Sequence, residues 1–160
     1  MSARVGTGFD AHRLVAGRPL VLGGVTIAHP RGLAGHSDGD CLLHAVCDAI
    51  LGALGLGDMG RHFPSRDGRW KDAASITFLH RVAELMRGAG FALGNLDATL
   101  IAQAPALGPH LDAMRAQIAE ALGAPLDAVS VKAKTTDGLG ALGREEGIAA
   151  QAAVLLERCR

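Results

Sequence analysis

Tyrosine is missing from this chain, and four phenylalanines and one tryptophan supply all the aromatic bulk of its 160 residues. A core must then be built from small aliphatic side chains, which pack elements closely but bring little bulk to each. That favours burying a further face between subunits. Cysteine is scarce as well: Cys41, Cys47 and Cys159 are odd in number and include no Cys-x-x-Cys pair. This argues against a disulfide framework or a thiolate zinc site and fits a reducing cytoplasm. Net charge is also lacking, since sixteen basic residues balance sixteen acidic ones. Nothing therefore marks a nucleic-acid or anionic-membrane partner. No signal-peptide-like segment opens the chain and no stretch is long and apolar enough to cross a bilayer, so a soluble, cytoplasmic protein is expected.

What is abundant is glycine, at 22 residues, within a composition that is 49% hydrophobic. The length and apolar content suit one domain with a real core. Residues 4–12 alternate, placing Val5, Thr7 and Phe9 on one side and Gly6, Gly8, Asp10 and His12 on the other, as in a half-buried strand. Residues 20–22 and 25–27 read as short strands joined at Gly23-Gly24 in a hairpin, and Pro30-Arg31-Gly32 reads as a loop. Ser37 followed by Asp40 has capping-box spacing ahead of a helix with Leu42, Leu43, Val46, Ile50 and Ala53 as its apolar positions. Further helices are expected from 72 to about 88 and from Pro109 to 122, and strands at 93–103, 129–134 and, in an ambiguous alanine-rich tail, 147–157. The expectation is a single α/β domain of α+β type, with mainly one mixed β-sheet and a helical layer on one face.

The chemistry concentrates in two segments. Residues two apart on a strand lie ~6.5–7 Å apart on one face, so Asp10 and His12 can lean toward one cation if His44, early in the following helix, faces them. Two imidazoles and a carboxylate form a zinc centre with one position left open for water or a substrate oxygen. Asp48, one turn beyond His44, is expected to accept its free N–H. Taken singly, each of these residues also reads as an ordinary surface or hydrogen-bonded group. Their coincidence beside glycine-rich segments and a helix start that can receive an anion raises the metal reading. Lys132-Ala133-Lys134-Thr135-Thr136-Asp137-Gly138 offers ammonium and hydroxyl groups for phosphate and a carboxylate for a hard divalent cation; its plain alternative is a solvated turn.

The chain resembles the 2-C-methyl-D-erythritol 2,4-cyclodiphosphate synthase family of the non-mevalonate isoprenoid pathway over essentially its whole length. The resemblance rests on Gly8-Phe9-Asp10-Ala11-His12, His36-Ser37-Asp38-Gly39-Asp40 with His44 and Asp48, Gly57-Asp58-Met59-Gly60, Phe63-Pro64, Ala102-Gln103-Ala104-Pro105 and Gly143-Arg144-Glu145-Glu146-Gly147. It implies a phosphorus–oxygen lyase that cyclises 4-diphosphocytidyl-2-C-methyl-D-erythritol 2-phosphate and expels CMP. It also implies a homotrimer with the sheets facing the threefold axis and active sites between subunits. Zinc would be held by Asp10, His12 and His44, and magnesium or manganese by Asp137 with the substrate. His36 and Thr135 would stabilise the transition state, while Ser37, Asp58, Met59, Gly60, Phe63 and Asp67 hold the methylerythritol phosphate beside Asp10 and His12. Ala102, Gln103, Ala104 and Pro105, with Lys134, Thr135 and Thr136 of a neighbour, would receive the cytidine diphosphate end, and Arg144, near the threefold axis, would be a further substrate-binding residue.

The chain departs from the family pattern at several of these places. Phe63-Pro64-Ser65-Arg66-Asp67 stands for Phe-Pro-Asp-Thr-Asp, Asp137 for a glutamate, Lys134 for a threonine, Ala106 for a lysine and Ala141 for an aromatic residue. Two other functions use the same ligand set: a zinc-dependent phosphohydrolase whose open metal position activates water, and a metal-stabilised trimeric binding module without turnover.

Overall fold

The structure, a computed structural model, describes residues 3–159. Its strands are β1 (Ala3–Ala16), β2 (Leu20–Leu22), β3 (Val25–Ile27), β4 (Arg31–Leu33), β5 (Phe91–Ile101), β6 (Val129–Lys134) and β7 (Gly147–Arg158). Its α-helices are α1 (Cys41–Leu54), α2 (Met59–His62), α3 (Ser75–Gly88), α4 (Leu111–Leu122) and α5 (Gly140–Gly143). Five strands form one mixed sheet in the order β4-β1-β7-β5-β6; β5 and β6 run parallel and the other neighbours antiparallel. Helix α1 packs on β1 and β7, α3 on β5 and α1, and α4 on β6, which gives the helical layer expected of an α+β domain.

Glycine sets how close that layer comes. On β1 the bulkier Val5 and Phe9 are the exposed residues, 71% and 64% accessible, while Gly6 and Gly8 are buried against α1. A Cβ built on Gly6 would sit 1.9 Å from the Ala49 carbonyl oxygen, and one on Gly8 would sit 1.9 Å from that of Ala45. The helix backbone therefore rests directly on the strand, a spacing that only glycine opposite alanine permits. Because Asp10 and His12 continue the Gly6–Gly8 face and His44 precedes Ala45, the same contact brings the candidate metal ligands together.

The β2–β3 hairpin forms as expected, with Gly23 and Gly24 at φ +59° and +74°, a two-residue turn that suits the strand twist. Its turn is tied to α1 through Asp40, whose carboxylate accepts the N–H groups of Gly23 (2.9 Å), Gly24 (2.8 Å) and Leu43 (3.0 Å). Burial pushes the Asp40 carboxyl up to about 6 against the pull of these three donors. Asp40, rather than Ser37, is thus the N-cap of α1. The chain still turns at Gly39 (φ +75°), so helical geometry begins only at Cys41, and Ser37 is left to point into the site.

Other boundaries differ from expectation for local reasons. Arg31 and Gly32, read as loop with Pro30, join Leu33 in β4 against Leu14–Ala16, a three-residue strand too short to show alternation. Helix α3 starts at Ser75 because Asp72 is left-handed (φ +57°) and the N-cap Ala74 is still extended (ψ 122°). Pro109 lies in a 3-10 turn, Gly108–His110, that leads into α4. Strand β5 runs two residues earlier than expected and leaves Ala102 and Gln103 in a loop. The ambiguous tail is a strand, central in the sheet between β1 and β5.

Candidate metal centre and active site

The carboxylate oxygen Oδ2 of Asp10, Nε2 of His12 and Nδ1 of His44 converge, with separations of 2.7 Å (Asp10–His12), 2.9 Å (Asp10–His44) and 3.2 Å (His12–His44). Among the described residues this is the one group of His, Cys, Asp or Glu side chains whose ligand atoms gather as a metal site requires. Tetrahedral zinc with bonds of ~2.0–2.1 Å to nitrogen and oxygen spaces its ligands ~3.3 Å apart. The three atoms therefore fit such an ion after opening by at most ~0.6 Å, the largest shift being between Asp10 and His12. The donor set is right for zinc, and three protein ligands leave one position free.

The free ring nitrogens are held from outside. Nδ1 of His12 lies 2.5 Å from the Ala34 carbonyl oxygen, to which it donates, so Nε2 is presented to the site. Nε2 of His44 lies 2.8 Å from Ser75 Oγ and 3.3 Å from Ser37 Oγ. Asp48 does not fill the role expected of it: its carboxylate accepts the Met59 N–H at 2.8 Å. Helical side chains lean toward the N-terminus, which carries the His44 ring away from a residue one turn further on and toward the start of α3.

Burial raises Asp10, but hydrogen bonds and charge from His12 and His44 outweigh it and hold the carboxyl well below the usual carboxylate range. The hydrogen bond to Asp10 raises His12 above the ordinary imidazole value of 6.5, against burial. In metal-free protein the His12 contribution to stability is complete below 6.5 and is lost as pH rises through its raised folded-state value. The Asp10 contribution runs the other way, present above the ordinary value of 3.8 and lost as pH falls toward its depressed one. Metal-free protein is therefore expected to melt at progressively lower temperature as pH rises above about 6.5. Melting curves across pH check this, and zinc should reverse the trend because a ligating imidazole must be deprotonated.

These ligands line a cleft of about 210 Å³ with His36, Ser37, Asp48, Met59, Gly60, Phe63, Ser65, Trp70 and Phe78. Three of the chain's five aromatic residues are spent here: Phe63 and Phe78 lie 4.7 Å apart, and Trp70 meets each ring edge-on at 5.3 and 5.5 Å. They form an apolar wall opposite the polar ligands. The loop carrying His36 and Ser37 is clamped by Arg18, which donates to the carbonyls of Gly35 (3.2 Å) and Ser37. Asp58 caps α2 through the Arg61 N–H at 3.0 Å, next to Met59 and Gly60 in the cleft. Asp67 is half-buried, and its hydrogen bond with Arg69 lowers its pKa; its carbonyl oxygen is 3.4 Å from His36 Nε2.

The remaining expected site residues lie elsewhere on the chain. Ala102, Gln103, Pro105, Lys134 and Thr135 line a second hollow of about 220 Å³ that shares no residue with the metal cleft. There Asp137, at φ +53°, accepts from Thr135 Oγ1 at 3.1 Å, and Gln103 Oε1 accepts the Gly138 N–H at 3.1 Å. Thr136 donates to the Leu139 carbonyl at 2.7 Å, and Arg144 pairs with Glu146 at 2.7 Å. Asp137 is outside the Asp10–His12–His44 group. Ser75, Asp38, Arg18, Trp70 and Phe78 were not anticipated as site residues, since their parts depend on contacts between distant segments that no spacing reveals.

The YgbB family model matches residues 3–157. A 2-C-methyl-D-erythritol 2,4-cyclodiphosphate synthase from Salinibacter ruber is 60% identical over 154 residues, covering 96% of this chain and 98% of its own length. Among solved structures, the CDP complex of IspF from Plasmodium falciparum superposes with a TM-score of 0.88 at 33% identity, covering 99% of this chain and 98% of that one. The bifunctional IspDF of Campylobacter jejuni matches with a TM-score of 0.94 at 43% identity; the match spans 98% of this chain but 42% of that longer one. The family match takes in all three metal-ligand candidates and, but for Arg158 at the end of β7, every strand of the sheet, and the chain belongs to the YgbB family.

Proposed function

We propose that the chain converts 4-diphosphocytidyl-2-C-methyl-D-erythritol 2-phosphate to 2-C-methyl-D-erythritol 2,4-cyclodiphosphate and CMP. The observation that carries this reading is the convergence of Asp10, His12 and His44 in a cleft with one apolar wall, in a chain 60% identical to a named cyclodiphosphate synthase. An oxygen of the 2-phosphate attacks the β-phosphorus, and the bond from that phosphorus to the bridging oxygen of the α-phosphate breaks. CMP leaves with the electron pair.

Attack of one phosphate on another is opposed by anion repulsion, so positioning and charge neutralisation are what the protein contributes. Asp10, His12 and His44 would hold zinc, which would supply Lewis-acid stabilisation at the diphosphate, and Asp137 would hold magnesium or manganese as a second ion. The chain's own groups do the rest. His36 at the cleft mouth and Thr135 donate to the phosphoryl oxygens that gain charge. Ser37, Asp58, Met59, Gly60, Phe63 and Asp67 orient the methylerythritol phosphate, with the aromatic wall excluding water behind it. The hollow of Ala102–Pro105 with Lys134–Asp137 receives the cytidine diphosphate end, and the lysine at 134 adds positive charge beside the phosphates.

Because the two hollows are separate on one chain, the complete site is built from neighbouring copies in a homotrimer. The exposed Val5 and Phe9 on the sheet face opposite the helices support this, since they offer apolar area for burial around a threefold axis. Among the described residues no helix is long and apolar enough to cross a membrane. Phosphorus NMR of the product mixture, with zinc and magnesium present, tests the reading: cyclic diphosphate plus CMP is expected, and a linear phosphate product with no cyclic one would overturn it. Sedimentation should return three times the 16.4 kDa chain mass, whereas a fully active monomer would sink the shared site.

A further inference from the structure

We infer that Ser75 and Asp38 are positioning residues that fix the tautomer and ring orientation of His44. Ser75 is wholly buried at the first position of α3, a helix whose N-cap, Ala74, has no side chain able to cap it. The cap is supplied from another segment: Asp38 accepts the Ser75 backbone N–H through Oδ2 at 2.9 Å and the Ser75 hydroxyl through Oδ1 at 2.5 Å. Oδ1 also accepts the Asp40 N–H at 3.1 Å, which fixes the carboxylate relative to the start of α1.

An ionised carboxylate accepts only, so the single hydroxyl proton of Ser75 is committed to Asp38. Toward His44 the Ser75 oxygen can then act only as acceptor. Its 2.8 Å contact with Nε2 requires Nε2 to carry the proton. With a cation in the site, neutral imidazole holds its one proton on Nε2, so Nδ1 turns its lone pair to the ion in place of its 2.9 Å hydrogen bond to Asp10. The chain Asp38–Ser75–His44 is thus arranged as the outer partner of a ligating histidine, a role that typically contributes 10–100-fold in metal affinity. It also joins two parts of the cleft, because Asp38 directly follows the His36–Ser37 pair and Ser37 Oγ lies 3.3 Å from the same Nε2.

This inference rests on the metal reading of the triad, and the tests separate the two. Nitrogen-15 NMR of the metal-free native protein reports the His44 tautomer without any ion. A proton on Nε2 is expected, and a neutral His44 protonated on Nδ1 would overturn the relay whatever the protein catalyses. In Ser75→Ala the backbone N–H that Asp38 caps is retained, so folding should persist while zinc affinity, measured by chelator competition, falls about 10-fold or more. Unchanged affinity in the folded variant would reject the positioning role. Should Ser75→Ala fail to fold, Asp38→Asn serves: with the amide in place of the carboxylate the commitment of the hydroxyl proton is lost, and zinc affinity should again fall. Failure of the native protein to bind zinc at all would instead count against the proposed function and leave the tautomer result standing.

Discussion

A His44→Ala protein should keep its fold yet release CMP from the cytidyl substrate at least ~10³-fold more slowly, the loss of roughly 4 kcal/mol of transition-state stabilisation that a metal Lewis acid supplies. His44 contributes one of three ligand atoms, and Asp10 and His12 would still pair with each other at 2.7 Å without it. Two ligands hold an ion poorly and leave the diphosphate without a fixed positive charge. The fold is expected to survive because His44 sits at the edge of the core and its neighbours Leu43, Ala45 and Val46 carry the packing of α1. Assaying CMP release together with bound zinc per chain decides the point. Native activity in the variant would remove the metal centre from the mechanism, and native activity with no bound zinc would do so independently of any residue assignment.

The ligands themselves were legible because each depends on local periodicity. The two-residue repeat of a strand puts Asp10 and His12 on one face, and the apolar stripe after residue 40 places His44 near the start of a helix. What holds those ligands was not legible. Ser75 is separated from His44 by 31 residues and from Asp38 by 37, and a serine at a helix start is ordinary in any sequence. Asp48 was misassigned because spacing alone puts it one turn from His44 without saying which way the ring leans. The helix start was misplaced for a related reason: Ser37 and Asp40 both suit an N-cap, and the choice was made by Gly39 and by the β2–β3 turn docking on Asp40. The strand alternation at residues 5–9 was visible, but the burial of the glycine side became clear only once α1 was seen lying against it.

That glycine side carries the largest expected effect on stability. Gly8→Ala should cost about 3 kcal/mol or more, beyond the ordinary overpacking of a core by a single methyl group. The new Cβ would lie 1.9 Å from the Ala45 carbonyl oxygen and 2.8 Å from the Ala49 nitrogen. Both are backbone atoms, so no side-chain rotation relieves the clash. Either α1 lifts off β1 or the strand bends, and α1 is buried along nearly all its length, with 11 of its 14 residues inaccessible. Lifting α1 also moves His44, next to Ala45 on the same turn, away from Asp10 and His12 on the strand. Zinc affinity should therefore fall together with stability, which distinguishes this site from an ordinary packing defect. Gly88→Ala is the control, since a Cβ there meets open space at the last turn of α3 and should be neutral or stabilise by up to ~1 kcal/mol. Denaturant unfolding of the two variants, with zinc titration of whatever remains folded, reads both effects. If Gly8→Ala unfolded within 1 kcal/mol of the parent protein, by about the error of such a measurement, the close seating of α1 on β1 would not be what holds the metal ligands together.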